Sequence, residues 1–327
     1  MKKLLLVLCV AICSCSEAAG PDPTPAPQPE PELALKNEFH GQLKVSSGQL
    51  TDLDGEEVML RGVSFGWHNW WPRFYTSSTV NWLKSDWNVN LVRAAMGVDP
   101  DGAYLDNPDF AKQKVKAVVD AAIEADIYVI IDWHSHDLYQ EEAKEFFAEM
   151  AQTYGDHPHV IYELFNEPDD ESWAEVKAYS EEIIAEIRKY DPDNLILVGS
   201  PTWSQDIHLV AEDPILNQEN LMYVLHFYAG THKDYLRERA EAAHQSGLPL
   251  FVSECAGMEA SGDGPIDEAS WASWLSWMES RKISWAAWSI ADKDETCSML
   301  LPTASSTGEW ADSDLKPWAK IVKSALK

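Results

Sequence analysis

The sequence predicts an α/β fold, a (β/α)8 TIM barrel, and three observations predict it. Eight short runs rich in Val, Ile, Leu and aromatic residues lie at 58–65, 90–96, 127–133, 160–166, 195–199, 221–227, 248–253 and 284–290. Most are nearly continuous in apolar residues, as strands of a parallel sheet are when both faces are covered. Amphipathic stretches of helical period separate them, which leaves a closed barrel or an open doubly wound sheet. No glycine-rich phosphate loop follows the first run, while polar and aromatic residues gather just past the ends of several different runs. A nucleotide-binding sheet needs that loop, whereas a barrel puts its site at the C-terminal face.

The segments ahead of the barrel come first in the chain. Met1-Lys2-Lys3 and the apolar run from Leu4 to Ile12 have the shape of a secretory signal, too short for the roughly 20 residues of a membrane span. Ile12-Cys13-Ser14-Cys15 resembles the lipobox of bacterial lipoproteins, although lipoboxes seldom carry cysteine at the place of Cys13. The resemblance implies a lipid anchor on Cys15 and a lipoprotein-type signal segment at 1–15. Glu17, close behind, fits the export signals of surface-exposed lipoproteins. Proline then recurs at every second position from Pro21 to Pro31, so residues 16–36 should form a semi-rigid linker. A secreted chain at the cell surface or outer membrane is expected, touching the bilayer only through that anchor.

Residues 37–327 are left for the catalytic barrel domain, about the usual size for this fold. Residues 43–45 and 49–53 should form a small hairpin closing the barrel floor. Asn107-Pro108 reads as a cap followed by proline at the first helical position. Val115, Val118, Val119, Ala122 and Ile123 then repeat at three-four spacing. Ser172-Trp173-Ala174-Glu175 is a capping box for a helix to about Tyr190, ended by the turn Asp191-Pro192-Asp193-Asn194.

Charge narrows the function. With 25 basic residues against 54 acidic ones the net charge is −29. That excludes a simple nucleic-acid binder, which needs a basic stripe, and disfavours anionic lipid or anionic polysaccharide. A neutral substrate meets no such barrier, and a monomer is expected. Cys255 and Cys297 are the cysteines of the globular part, and an oxidising compartment permits a disulfide between them without demanding one.

Two strand ends carry the chemistry. The run from Val160 goes straight into Asn166-Glu167-Pro168, and proline ends strand pairing because it has no N–H to donate. Glu167 should therefore sit at the barrel mouth as a candidate general acid, with Asn166 beside it to bond a sugar hydroxyl. The competing reading is a helix N-cap cluster with Asp169 and Asp170. Leu248 to Ser253 repeats the design and ends in Glu254. Two carboxylates facing each other across a barrel mouth are what glycoside hydrolysis needs. Arg93 interrupts an apolar strand and requires an anionic partner, which could also be Glu163. Glu163, mid-strand, is a rival acid; its position suggests a buried ion pair with Arg61 instead. His226 and Tyr228 lie two apart and should point to one side of their strand. His134 ends its strand near Asn166, while His136 and Asp137 read as loop residues. His134 and His136 could pair on zinc, but nothing else has metal-ligand spacing, and neither metal nor cofactor is expected.

Asn166-Glu167-Pro168, Asp132-Trp133-His134, His226-Phe227-Tyr228, Ser253-Glu254 and the stretch from Trp288 to Glu295 together resemble glycoside hydrolase family five. They are most similar to its bacterial endo-β-1,4-glucanase branch, from about Leu43 to the C-terminus. The resemblance implies a retaining enzyme with Glu167 as acid/base and Glu254 as nucleophile. It also implies that Arg93 keeps the nucleophile ionised, that Tyr228 bonds it, and that His226 meets the sugar. Trp70, Trp203 and Trp288 match stacking positions, whereas Trp173, Trp271, Trp274 and Trp277 follow helical spacing and should pack. Lys293 and Glu295 resemble hydroxyl-binding residues. The branch usually has a histidine where this chain has Gly66, so His68 is expected to substitute; it usually has Trp-Gly where this chain has Cys255-Ala256. The expected activity is hydrolysis of internal bonds of cellulose-like β-linked glucan by double displacement. Mannan, xyloglucan or mixed-linkage glucan are alternatives, and a non-catalytic glycan-binding surface lipoprotein is a rival of another class.

Overall fold

In the computed structural model residues 38–327 are described, and eight of their strands close into a barrel with every neighbouring pair parallel. The expected signal segment, the proline-rich linker and Cys15 lie outside the described residues. A two-stranded hairpin comes first, β1 (Lys44–Ser46) and β2 (Gln49–Thr51), paired antiparallel. Ser47 and Gly48 turn it with φ of 51° and 80°, the left-handed pair a two-residue hairpin loop requires. The barrel follows as β3 (Arg61–Phe65), β4 (Leu91–Gly97), β5 (Tyr128–His134), β6 (Val160–Glu163), β7 (Ile196–Val198), β8 (Leu221–Tyr228), β9 (Leu250–Ala256) and β10 (Trp285–Ile290), with β10 closing on β3. The helices are α1 (Ser77–Trp87), α2 (Pro108–Glu124), α3 (Gln140–Tyr154), α4 (Trp173–Ile187), the short α5 (Pro201–Ser204), α6 (Ile207–Glu212), α7 (Asp234–Gln245), α8 (Glu268–Ser280) and α9 (Pro317–Ala325).

Two apolar layers hold this arrangement. Inside, Leu60, Leu91, Tyr128, Ile130, Ile161, Leu197, Met222, Val224, Phe251 and Ala286 fill the lower barrel, and Leu43 and Leu50 of the hairpin region join them, so the floor is closed as expected. Outside, the alternate residues of the same strands (Val63, Val92, Val129, Leu225 and Val252 among them) pack on the helices. This period of two is what a closed barrel imposes. The side chains that continue the inward series beyond Leu91, Ile130, Ile161 and Val224 are Arg93, Asp132, Glu163 and His226. Polar chemistry therefore sits directly above the apolar plug.

The run expected as a strand at 58–65 pairs only from Arg61, because Val58 is taken by the hairpin, its N–H donating to Leu50 O at 2.8 Å. Asn107 caps α2 by accepting from Phe110 N, and both halves of the Ser172/Glu175 capping box are present on α4. That helix stops at Ile187, short of Tyr190, and Arg188 bonds the carbonyls of Asp191 and Asn194 across the turn. Trp173, Trp271, Trp274 and Trp277 are buried in packing. Cys255 and Cys297 are both buried and free, so no disulfide joins them.

Candidate active site

The C-terminal ends of the strands open into a cleft of about 570 Å³. At its centre a carboxylate oxygen of Glu167, one of Glu254 and a ring nitrogen of His226 lie within 4.8 Å of one another. Each glutamate reaches the cleft through a departure from regular strand geometry. Beyond Glu163 the chain leaves the ladder, with Asn166 N donating to Trp133 O at 3.1 Å and Glu167 N to Ser135 O at 3.3 Å. In β9 the departure is a bulge. Phe251 and Glu254 stand opposite Val224 and His226, and Val252 and Cys255 opposite Trp285 and Ala287, three steps against two on both sides. A bulge re-aims side chains, and here consecutive residues Ser253 and Glu254 both reach the interior network.

Arg93, wholly buried, is the hub. It donates to Glu163 twice (Nε to Oε2 at 2.7 Å, Nη2 to Oε1 at 3.1 Å), to Asn166 Oδ1 at 2.7 Å and to Glu254 Oε2 at 3.0 Å, and lies 3.0 Å from Asp132 Oδ2. A buried guanidinium is tolerable only when so surrounded. Burial works against its charge, but Asp132, Glu163 and Glu254 push its pKa above the ordinary value. Burial also works against the charge on Glu163, but Arg93 and His226 bring its pKa down to about 2. Glu163 is thus a fixed anion, unsuited to donating a proton. Its partner is Arg93 and not Arg61, because Arg61 shares the outward parity of Val63 and Phe65 and reaches Glu279 on α8 at 3.5 Å. Asp132 is driven well above the carboxylate range, first by burial and then by Glu163 and Glu254, against the pull of Arg93.

Glu254 is 4% exposed. Its Oε1 accepts from the Tyr228 hydroxyl at 2.7 Å and its Oε2 from Arg93. Burial and the nearby Glu167 raise its pKa, against His226, Arg93 and Tyr228, which favour the ionised form.

His226 lines the cleft, and protein groups occupy both its nitrogens. Nδ1 lies 2.9 Å from Glu167 Oε1 and Nε2 2.9 Å from Ser253 Oγ. The Ser253 hydroxyl donates to Glu163 Oε1 at 2.7 Å, so Nε2 must be a donor. Burial disfavours the imidazolium, yet bonds to Glu163 and Glu167 lift its pKa to about 9. With a hydrogen on both nitrogens it has no lone pair for a metal, so the trio of Glu167, His226 and Glu254 is poorly suited to hold a cation.

Around this core stand aromatic and polar walls. Trp288 lies parallel to the His134 ring at 5.1 Å, and Trp67 meets that ring edge-on at 4.4 Å. His134 Nδ1 is 2.7 Å from Asp132 Oδ2, and burial with the charge of Arg93 keeps its pKa well below normal, so the ring is neutral. Trp70 and Trp203, 51% and 46% exposed, both line the cleft. Trp203 sits in α5, where Thr202, Trp203 and Ser204 hold left-handed φ of 58°, 55° and 55°, each costing about 1 kcal/mol or more. Trp203 N to Pro168 O at 2.8 Å and Ser204 Oγ to Asn166 O at 3.0 Å tie that strained turn to the Glu167 segment. Lys293 and Glu295 line the cleft as an ion pair.

His68 is not in the cleft. It is fully buried between Tyr75 and Phe110, neither ring nitrogen has a bonding partner, and burial lowers its pKa to about 4. Its neighbours Trp67 and Trp71 line the cleft in its place. His136, read as a loop residue, is a cleft residue 3.8 Å from Glu167 Oε2. Gln205 and His232 also line the cleft, and no spacing signal in the sequence marks either.

A family model described as Cellulase (glycosyl hydrolase family 5) matches residues 51–294. The chain is 41% identical over 303 residues to an endoglucanase of Clostridium saccharobutylicum, covering 90% of this chain and 66% of that protein. It is 45% identical over 273 residues to Endoglucanase Z of Dickeya dadantii, covering 81% and 64%. The chain thus spans somewhat less than two thirds of these curated relatives. Among solved structures, the catalytic domain of Thermobifida fusca endoglucanase Cel5A superposes with a TM-score of 0.83 at 34% identity, covering 88% of this chain and 97% of that one. A structure from Cytophaga hutchinsonii gives 0.86 at 46% identity, covering 88% and 94%.

Proposed function

Because the chain belongs to glycosyl hydrolase family 5, the cellulase family, we propose that it is a retaining endo-β-1,4-glucanase acting on cellulose-like glucans. The observation that carries the reading is the approach of Glu167 and Glu254 to within 4.8 Å at the barrel mouth. Retention goes with carboxyls about 5–5.5 Å apart, and inversion needs about 6.5–9.5 Å to admit a water.

In the first step a Glu254 oxygen attacks the anomeric carbon. The bond from that carbon to the glycosidic oxygen breaks, and Glu167 gives its proton to the departing oxygen. His226 Nδ1 donates to Glu167 Oε1, so the transferable proton belongs on Oε2, the oxygen turned toward His136. Formation of the glycosyl ester neutralises position 254 and leaves Glu167, its proton given up, as the free carboxylate beside the anomeric carbon. Glu167 then takes a proton from water as that water attacks the anomeric carbon and frees Glu254. Asn166 is oriented for a sugar hydroxyl: Arg93 can only donate, so it fixes Oδ1 toward itself and leaves the amide N–H groups for the cleft. Bonds of that kind to the 2-hydroxyl strengthen in the transition state.

Glu254→Gln should abolish turnover with the barrel intact by circular dichroism; residual wild-type rate would remove the assignment. Retention is checked by NMR, with β-anomer product appearing before mutarotation. Reducing-sugar release from carboxymethylcellulose, glucomannan and mixed-linkage β-glucan in parallel ranks the glycans. The N-terminal signal pattern supports export, with a lipid on Cys15 and residues 16–36 as the tether; radiolabelled palmitate incorporation lost in Cys15→Ala tests this part.

A further inference from the structure

We propose that Asp132 works as a protonated carboxylic acid, whose proton fixes the His134 ring with an N–H turned to the cleft. The first ground is a count of donors. A guanidinium has five N–H groups, and Arg93 directs all of them elsewhere. Nε goes to Glu163, Nη1 to Ser64 Oγ at 3.4 Å and to Glu254, and Nη2 to Glu163 and Asn166. Asp132 Oδ2 therefore lies 3.0 Å from Nη2 with no hydrogen of that group left to accept. The Tyr75 hydroxyl is turned to the carbonyls of Gly66 and Ala95, at 2.8 Å each. Oδ1 is buried without a partner among the described residues. What remains is His134 Nδ1, 2.7 Å from Oδ2. A wholly buried carboxylate with at most one donor is costly in its charged form, and such an acid keeps its proton.

The charges that face Asp132 favour the same state. Arg93 on β4 and His226 on β8 are positive, and Glu163 on β6 and Glu254 on β9 are negative when Glu254 is ready to attack. His134 on the same strand is neutral, and Tyr75 is held uncharged by burial. With Asp132 neutral the two signs balance. An ionised Asp132 would add an uncompensated negative charge to the buried network that holds the nucleophile candidate.

The place of the proton follows. On Oδ1 it would have no acceptor, so it lies on Oδ2 and is donated to His134 Nδ1. The neutral ring then carries its own hydrogen on Nε2. His134 lines the cleft, and Nε2 is neither sealed in packing nor bonded among the described residues. Trp288, parallel at 5.1 Å, and Trp67, edge-on at 4.4 Å, fix the plane of the ring. Asp132 is thus a positioning residue. An ionised carboxylate would instead take the hydrogen at Nδ1 and leave a bare acceptor facing substrate.

The protonation is independent of the glucanase reading, on which only its effect on turnover rests. Full-length protein labelled with 13C at the aspartate carboxyl carbon and with 15N in the histidine rings tests it by NMR at pH 7. One aspartate resonance should have the shift of a protonated acid and be missing from Asp132→Asn. His134, assigned through His134→Gln, should show a bare Nδ1 and a protonated Nε2. If Asp132→Asn does not fold, a shift of the protonated-acid resonance in His134→Gln assigns it instead. Wild-type protein with every aspartate ionised, a protonated resonance that survives in Asp132→Asn, or a hydrogen on His134 Nδ1 overturns the proposal. In Asp132→Asn the charge of Arg93 draws the amide oxygen to the Oδ2 position, where it accepts from Nδ1. The N–H then leaves the cleft, and kcat/KM on cellotetraose should fall about tenfold, the worth of one hydrogen bond. Its acidic limb should stay at the wild-type pH, because a neutral group has replaced a neutral group. A limb moved about one pH unit toward acid would mean that a negative charge had been removed beside Glu254, and overturns the proposal. Wild-type protein inert on cellotetraose removes the glucanase reading and leaves the NMR result standing.

Discussion

Replacing Glu163 by Gln changes one charge and almost no volume, and its consequences can be worked from the geometry. Glu163 accepts from Arg93 Nε, Arg93 Nη2 and Ser253 Oγ. An amide nitrogen at either oxygen position faces donors, so at least one buried N–H is left without a partner. The carboxyl pKa falls from its ordinary value of 4.5 to about 2 inside the fold. Taken as linkage, that difference is worth about 3 kcal/mol. Breaking a buried ion pair from one side costs about 3–5 kcal/mol by a separate argument. For a domain of this size the melting temperature of Glu163→Gln should fall by about 6–12 °C at pH 7. A depressed folded pKa contributes stability above the unfolded pKa and loses it as pH falls through the folded one. The gap between wild type and variant should therefore be full at pH 7, begin to narrow below about 4.5, and vanish near 2. His226 provides a second readout. Without Glu163 its pKa drops from about 9, so the alkaline limb of kcat/KM moves to lower pH. Differential scanning calorimetry across pH with a parallel pH–rate profile measures both. An unchanged melting temperature at pH 7, or a gap that widens in acid, would refute the reasoning.

Two further outcomes follow from residues outside the network. His68→Phe removes a buried imidazole with two unpartnered nitrogens; the melting temperature should hold or rise, and KM for cellotetraose should stay within about twofold, since an unpaired buried polar group costs about 1–3 kcal/mol. A large rise in KM would return His68 to the cleft. Gly62→Ala should yield little soluble protein, because a β-carbon there would stand 1.8 Å from Leu91 O on the next strand; the strain exceeds ordinary overpacking of about 1–3 kcal/mol, and a well-folded variant seen by calorimetry would contradict the register of β3 on β4.

Much of the barrel could be read because its strands are apolar on both faces and its helices carry their own caps. Glu167 and Glu254 stood out because each ends an apolar run. What could not be read depended on direction. Arg61 and Arg93 are both strand arginines, yet counting by twos from Leu91 sends Arg93 inward, while Arg61 shares the outward side of Val63 and Phe65. The ion pair expected of Arg61 therefore belongs to Arg93. His68 fails for a related reason: once the chain leaves β3, no pleat remains to say which of Trp67 and His68 turns to the cleft. His136 and His232 sit in connections whose course is set by partners on other strands. The free state of Cys255 and Cys297 is likewise a fact of placement.

The supernumerary residue of β9 makes position 254 a matter of phase. β8 and β10 advance two residues while β9 advances three, so the nucleophile candidate stands where an uninterrupted pleat would have turned it toward the helices. Excising one residue from 252–254 would bring the strand back into step and cost either the Ser253 link to His226 or the Glu254 link to Arg93. Transplanting this strand end into another barrel means carrying the irregularity along with the glutamate; the side chain alone, set in a regular strand, would arrive facing the wrong way.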